Sequence, residues 1–139
     1  MGKIFVYGSL MEGFFNYEIY LKGKVLNVEK GYMLGTLYHL KNKGYPGYVD
    51  CGNDRVYGEI ITYDGGDETL ASMDHLEGYS GFYDVKNSYN RKSIRVMNSE
   101  TLECDMLDVY VYNPNSPKNS DDDRVYLEDG CWSNYQKLN

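Results

Sequence analysis

The chain commits to a buried strand within its first ten residues. Ile4, Phe5 and Val6 form an apolar run of strand-favouring side chains, and Gly8 breaks it. The strand therefore runs straight into a tight small-residue turn, Tyr7-Gly8-Ser9-Leu10. A turn of this kind can aim successive backbone N–H groups into one space. Such a concavity holds a carboxylate or phosphate without any charged side chain. The same residues also suit an ordinary strand and turn, since glycine-terminated strands are common.

Strand material dominates the rest of the chain. Val25–Glu29, Tyr32–Leu40, Arg55–Tyr63, Phe82–Val85, Ser93–Val96 and Leu107–Tyr112 read as strands, with Gly35 at a bulge. Gly44-Tyr45-Pro46-Gly47 reads as a turn, because Pro fixes φ and Gly accepts unusual dihedrals. Helical signals are sparse. Tyr17, Tyr20 and Leu21 have the spacing of one short helix ending near Gly23. Asp67 suits the N-cap of a second, over Glu68–Glu77, with Gly78 as its stop. Residues 113–123 form a polar loop with two prolines, in which the Asp121-Asp122-Asp123 run fits no EF-hand spacing and reads as solvated, and the sole Trp, Trp132, lies in a tail placed to dock over one end of the sheet. Many strands with few helices indicate an α+β domain rather than a wound parallel sheet. At 139 residues, 1–139 is read as a single domain.

Composition narrows the function. The net charge is −7 with no Lys/Arg cluster, so the basic footprint of a nucleic-acid binder is missing. The same balance disfavours anionic membrane surfaces, and no apolar run approaches the roughly 20 residues of a span. No basic, apolar leader precedes the first strand, so a cytoplasmic location is expected. Cys51, Cys104 and Cys131 are far apart, and neither His39 nor His75 has metal-ligand spacing, so no metal is expected. Gly8 and Gly13 have P-loop spacing, but Phe14 and Phe15 occupy the places where Lys and Ser/Thr are required. No cofactor motif appears. The 16 tyrosines stand against 4 Phe and 1 Trp; they fit half-buried sheet surfaces, or a pocket lined with phenols.

One carboxylate stands out. Leu70, Met73 and Glu77 fall at i, i+3 and i+7 and share a helix face. Glu77 then ends a buried stripe, where lost hydration raises a carboxyl pKa toward the range useful to a general base or acid. A helix-terminal glutamate at a wet rim, or in a salt bridge, fits the same pattern. Backbone anion site, semi-buried carboxylate and tyrosines together suit a reaction whose nucleophile belongs to the substrate.

Val6-Tyr7-Gly8-Ser9-Leu10, Gly44-Tyr45-Pro46, Tyr57-Gly58-Glu59, Asp74-His75-Leu76-Glu77-Gly78, Tyr83 and Gly130-Cys131-Trp132 occur in that order. Together they resemble the gamma-glutamylcyclotransferase superfamily, which includes the gamma-glutamylamine cyclotransferases. The resemblance implies a small mixed, partly closed β-barrel with flanking short helices. It implies release of 5-oxoproline from a small gamma-glutamyl amine or amino acid, without a cofactor. It also implies that the backbone of Tyr7, Gly8, Ser9 and Leu10 holds the α-carboxylate and amine. Glu77 would move the proton. Tyr83 would contact substrate, with Tyr112, and Tyr110 beside it, as further candidates.

Two rivals fit the same residues: a non-catalytic binding or interaction module on the same fold, and a tyrosine-faced carbohydrate binder. The expected partner is a small gamma-glutamyl molecule, and the residues leave oligomeric state open.

Overall fold

A computed structural model describes residues 2–81 and 84–138, without the side chain of Leu138. Six strands form one sheet: β1 (Gly2–Val6), β2 (Val25–Leu40), β3 (Tyr45–Tyr63), β4 (Tyr89–Asn98), β5 (Cys104–Tyr112) and β6 (Arg124–Tyr126). The order is β3-β1-β5-β4-β2-β6, and β2 also pairs with β3. That extra pairing closes five strands into a barrel, with β6 added at the edge of β2. The β1–β5 contact is parallel and the others antiparallel, so the barrel is mixed.

The first strand forms as the sequence predicts. Ile4, Phe5 and Val6 are all buried, as a strand covered on both faces must be. The two predicted runs at 25–29 and 32–40 are one strand, bulged between Gly35 and Thr36. The predicted turn at 44–47 moves back to residues 41–44, and Tyr45, Pro46 and Gly47 enter β3. Pro46 sits opposite His39, and its ring packs where a Gly8 side chain would otherwise lie. The first helical segment is a single π-turn, Tyr17–Leu21.

Helix α1 (Gly66–Glu77) begins earlier than predicted. Gly65, in the left-handed region at φ 83°, precedes it, and Asp67 lies inside the first turn. There its charge complements the helix dipole instead of capping a free amide. Gly78 ends the helix as expected, at φ 67°, where a side chain would be strained. Phe82 and Tyr83 lie outside the described residues. Asp84 and Val85 are not in a strand, and Val85 is exposed.

The polar loop also departs from expectation. Asp122 is not solvated: its carboxylate meets Lys43 Nζ at 3.0 Å and accepts from Tyr112 and Asn42. Burial alone would raise its pKa, but these three partners hold it below the usual carboxylate range. Helix α2 (Trp132–Leu138) docks as predicted: Trp132 is buried and its Nε1–H donates to His39 Nδ1 at 3.0 Å. Among the described residues no helix is long and apolar enough to cross a membrane.

Candidate active site

A cavity of about 110 Å³ opens where six parts of the chain converge. They are the end of β1 with the Tyr7–Leu10 turn, Asn16, the start of β3, the end of α1, and the facing ends of β4 and β5. Glu77, Tyr7, Gly8, Ser9 and Leu10 all line it, as do Tyr45, Pro46, Leu76, Tyr89 and Tyr110. Two elements separated by nearly seventy residues thus meet at one space.

Helix α1 carries Glu77 there. Thr69 and Met73 are buried against the barrel, which turns the last turn of the helix toward the cavity. Among the described residues, no hydrogen bond or ion pair reaches the Glu77 carboxyl. Burial pushes its pKa from 4.5 to about 8. Burial likewise raises the pKa of Tyr7, Tyr45, Tyr89 and Tyr110, and the Glu77 charge adds to each rise. Four phenols therefore surround one carboxyl without neutralising it.

The hydrogen bonds give the cavity two chemically distinct ends. No described residue accepts from the backbone N–H groups of Gly8, Ser9 or Leu10. Ser9 Oγ accepts from Asn16 Nδ2 at 2.7 Å, which leaves the serine proton free. This end offers donors. Elsewhere in the lining, three phenols have already given their single proton to the scaffold. Tyr7 donates to the Tyr110 carbonyl at 2.6 Å, Tyr89 to the Pro46 carbonyl at 2.5 Å, and Tyr110 to Asp74 Oδ1 at 2.7 Å. The Tyr7 oxygen also accepts the Tyr48 N–H, so the remaining lone pairs of Tyr89 and Tyr110, with Glu77, make the part that accepts. Among the described lining residues there is no Lys, Arg or His side chain. A small zwitterion matches this arrangement, with its carboxylate at the turn and its ammonium near Glu77.

Tyr112 stands apart from the predicted group. It is buried, does not line the cavity, and gives its proton to Asp122. Because Tyr110 and Tyr112 alternate with Val109 and Val111, both tyrosines were legible as one strand face. Which of them meets the cavity depends on where β5 ends against α1. Tyr83 lies outside the described residues. Sequence reasoning missed Tyr45, Tyr89 and Asn16 as individual lining residues; the excess of tyrosine, and for Tyr45 its place in the Gly44-Tyr45-Pro46 motif, was the signal for the two phenols, and nothing local pointed to Asn16.

A family model described as gamma-glutamyl cyclotransferase, AIG2-like, matches residues 4–134. The gamma-L-glutamyl-butirosin B gamma-glutamyl cyclotransferase of Niallia circulans is 37% identical over 113 residues, which are 81% of this chain and 68% of that relative. A crystal structure of a mouse AIG2-like protein superposes with a TM-score of 0.69 at 22% identity, over 92% of this chain and 86% of that one. Bacillus subtilis YkqA gives 0.66 at 19% identity, over 99% of this chain and 41% of that one, so this chain spans less than half of that protein. These two structures establish the shared fold.

Proposed function

Because the chain belongs to the gamma-glutamyl cyclotransferase, AIG2-like family, we propose that it releases 5-oxoproline from a small gamma-glutamyl amine or amino acid. The observation that carries this reading is the two-ended cavity around Glu77. The α-carboxylate lies against the amides of Gly8, Ser9 and Leu10. The α-amine faces Glu77, which takes one proton from it. The amine nitrogen attacks the γ-carbonyl carbon, a five-membered ring closes, and the γ-carbon–nitrogen bond to the leaving group breaks. Glu77 then returns that proton to the departing nitrogen, and the second proton lost by the former α-ammonium follows by the same carboxylate, so the leaving amine departs as its own ammonium ion. Nucleophile and leaving group both belong to the substrate, so no covalent enzyme intermediate is needed.

The magnitudes are adequate. Holding amine and carbonyl in a near-attack geometry supplies on the order of 7–11 kcal/mol. A general base adds roughly 10²–10⁴-fold. Tyr83 is carried over from the resemblance as a substrate contact, and Tyr110 suits that task better than Tyr112. Free, exposed thiols at Cys51 and Cys104 suit a reducing, cytoplasmic setting.

The test is 5-oxoproline release, read by mass spectrometry, from a panel of gamma-glutamyl amines and amino acids. Activity should fall by about 10²–10⁴-fold in Glu77→Gln. Unchanged turnover in that variant would remove Glu77 from the mechanism. Binding without release across the panel would favour the binding-module reading.

A further inference from the structure

We propose that Asp74 is a positioning residue for the substrate α-ammonium, acting through Tyr110; this rests on the cyclotransferase reading above. Asp74 lies one helical turn before Glu77 on α1, yet it does not line the cavity. Its carboxylate is held from two sides. Oδ2 pairs with Arg91 of β4, and Oδ1 accepts the Tyr110 hydroxyl of β5. Arg91 and Tyr110 are direct cross-strand partners, so Asp74 clamps a pair already set by the sheet. Arg91 is further fixed over the ring of Tyr79, 5.1 Å from its centroid.

The consequence comes from proton count. A phenol has one proton, and Tyr110 gives its own to an ionised carboxylate, which is a strong, directional bond. Tyr110 can then meet the cavity only with a lone pair. That orientation attracts an ammonium, whereas the reversed one would point a proton at it. Arg91 prevents reversal, since a guanidinium has donors only and must keep an acceptor facing it.

The variant Asp74→Asn reverses the wall. Its amide oxygen turns to Arg91, its NH₂ faces Tyr110, and the phenol proton is driven toward the cavity. Affinities of L-glutamine and of its desamino analogue, glutaric acid monoamide, should be measured by calorimetry. Asp74→Asn should weaken L-glutamine by roughly 10–100-fold and leave the desamino analogue within about twofold of its starting affinity. Asp74→Glu, which keeps an acceptor facing Tyr110, should restore part of the loss. In a Tyr110→Phe background, Asp74→Asn should have little further effect. Equal weakening of both ligands, or an undiminished effect in Tyr110→Phe, would overturn the proposal. So would failure of L-glutamine to bind the parent protein. A parent protein that binds L-glutamine through Asp74 but releases no 5-oxoproline from any gamma-glutamyl compound would overturn only the cyclotransferase reading.

Discussion

The Tyr7 hydroxyl donates to the backbone carbonyl of Tyr110 at 2.6 Å, bridging 103 residues of sequence. The same oxygen accepts the Tyr48 N–H at 3.2 Å. One buried phenol thereby joins the end of β1 to β5 and β3, three of the strands that line the cavity. Tyr7→Phe removes both bonds and leaves two backbone groups without that partner. Unfolding in urea should show a loss of roughly 1–3 kcal/mol.

In the proposed reaction Glu77 should set the pH dependence of kcat/KM. Its pKa of about 8 leaves only roughly one-tenth of the free enzyme ionised at pH 7. A base must be deprotonated, so kcat/KM should rise through pH 8. It should fall again where the substrate's own α-ammonium is lost, because the acceptor end then has no cation to hold. In Glu77→Gln the acid limb should disappear from whatever rate remains.

Stability should show the opposite trend. Burial raises the Glu77 carboxyl from 4.5 to about 8, so the folded state keeps a proton that the unfolded chain gives up. Folding stability therefore falls as pH rises from about 4.5 to about 8. The full shift sets a ceiling of roughly 4–5 kcal/mol, and partial access to water reduces it. Glu77→Gln carries no charge. It should melt with the parent protein near pH 4.5 and above it near pH 8.5, as read by calorimetry.

Gly8 is constrained by Pro46. A Cβ at position 8 would lie 2.6 Å from Pro46 Cγ, and the proline ring cannot swing aside. In Gly8→Ala the turn should move off β3 and misdirect its amides. KM should rise by about tenfold or more with a smaller change in melting temperature, since one lost charge-assisted hydrogen bond is worth that factor.

Lys43 protects a buried charge. The Asp122 side chain is 2% exposed and Lys43 is its cationic partner. Lys43→Met should destabilise the protein by roughly 2–4 kcal/mol, most strongly at neutral pH where Asp122 is ionised. Lys43→Met with Asp122→Asn should recover much of that loss.

The chemistry-bearing parts were legible in the sequence where local pattern determines them. Ile4–Val6 are apolar in succession, and Leu70, Met73 and Glu77 share a helical period, so strand and stripe were readable. The Gly78 stop was readable because only a positive φ explains it well. What failed was set by distant neighbours. Asp67 looked like a cap, but Gly65 in the left-handed region starts the helix earlier. Pro46 looked like a turn residue, but β2 recruits it into β3. Asp122 looked solvated because Lys43, 79 residues away in sequence, gives no local sign of pairing with it. The division of labour between Tyr110 and Tyr112 was illegible for the same reason: alternation puts both on one face but does not say where the strand meets α1.

The division of the cavity into a donor end and an acceptor end bears on turnover as well as on capture. In the proposed reaction the α-ammonium becomes the N–H of a neutral lactam. The ring keeps its carboxylate for the amides of Gly8, Ser9 and Leu10, but the positive charge that matched Glu77 and the phenol lone pairs is gone. The step that makes product thus erases half of what the site recognises. Escape of 5-oxoproline would result from ring closure itself, without a lid or a conformational signal.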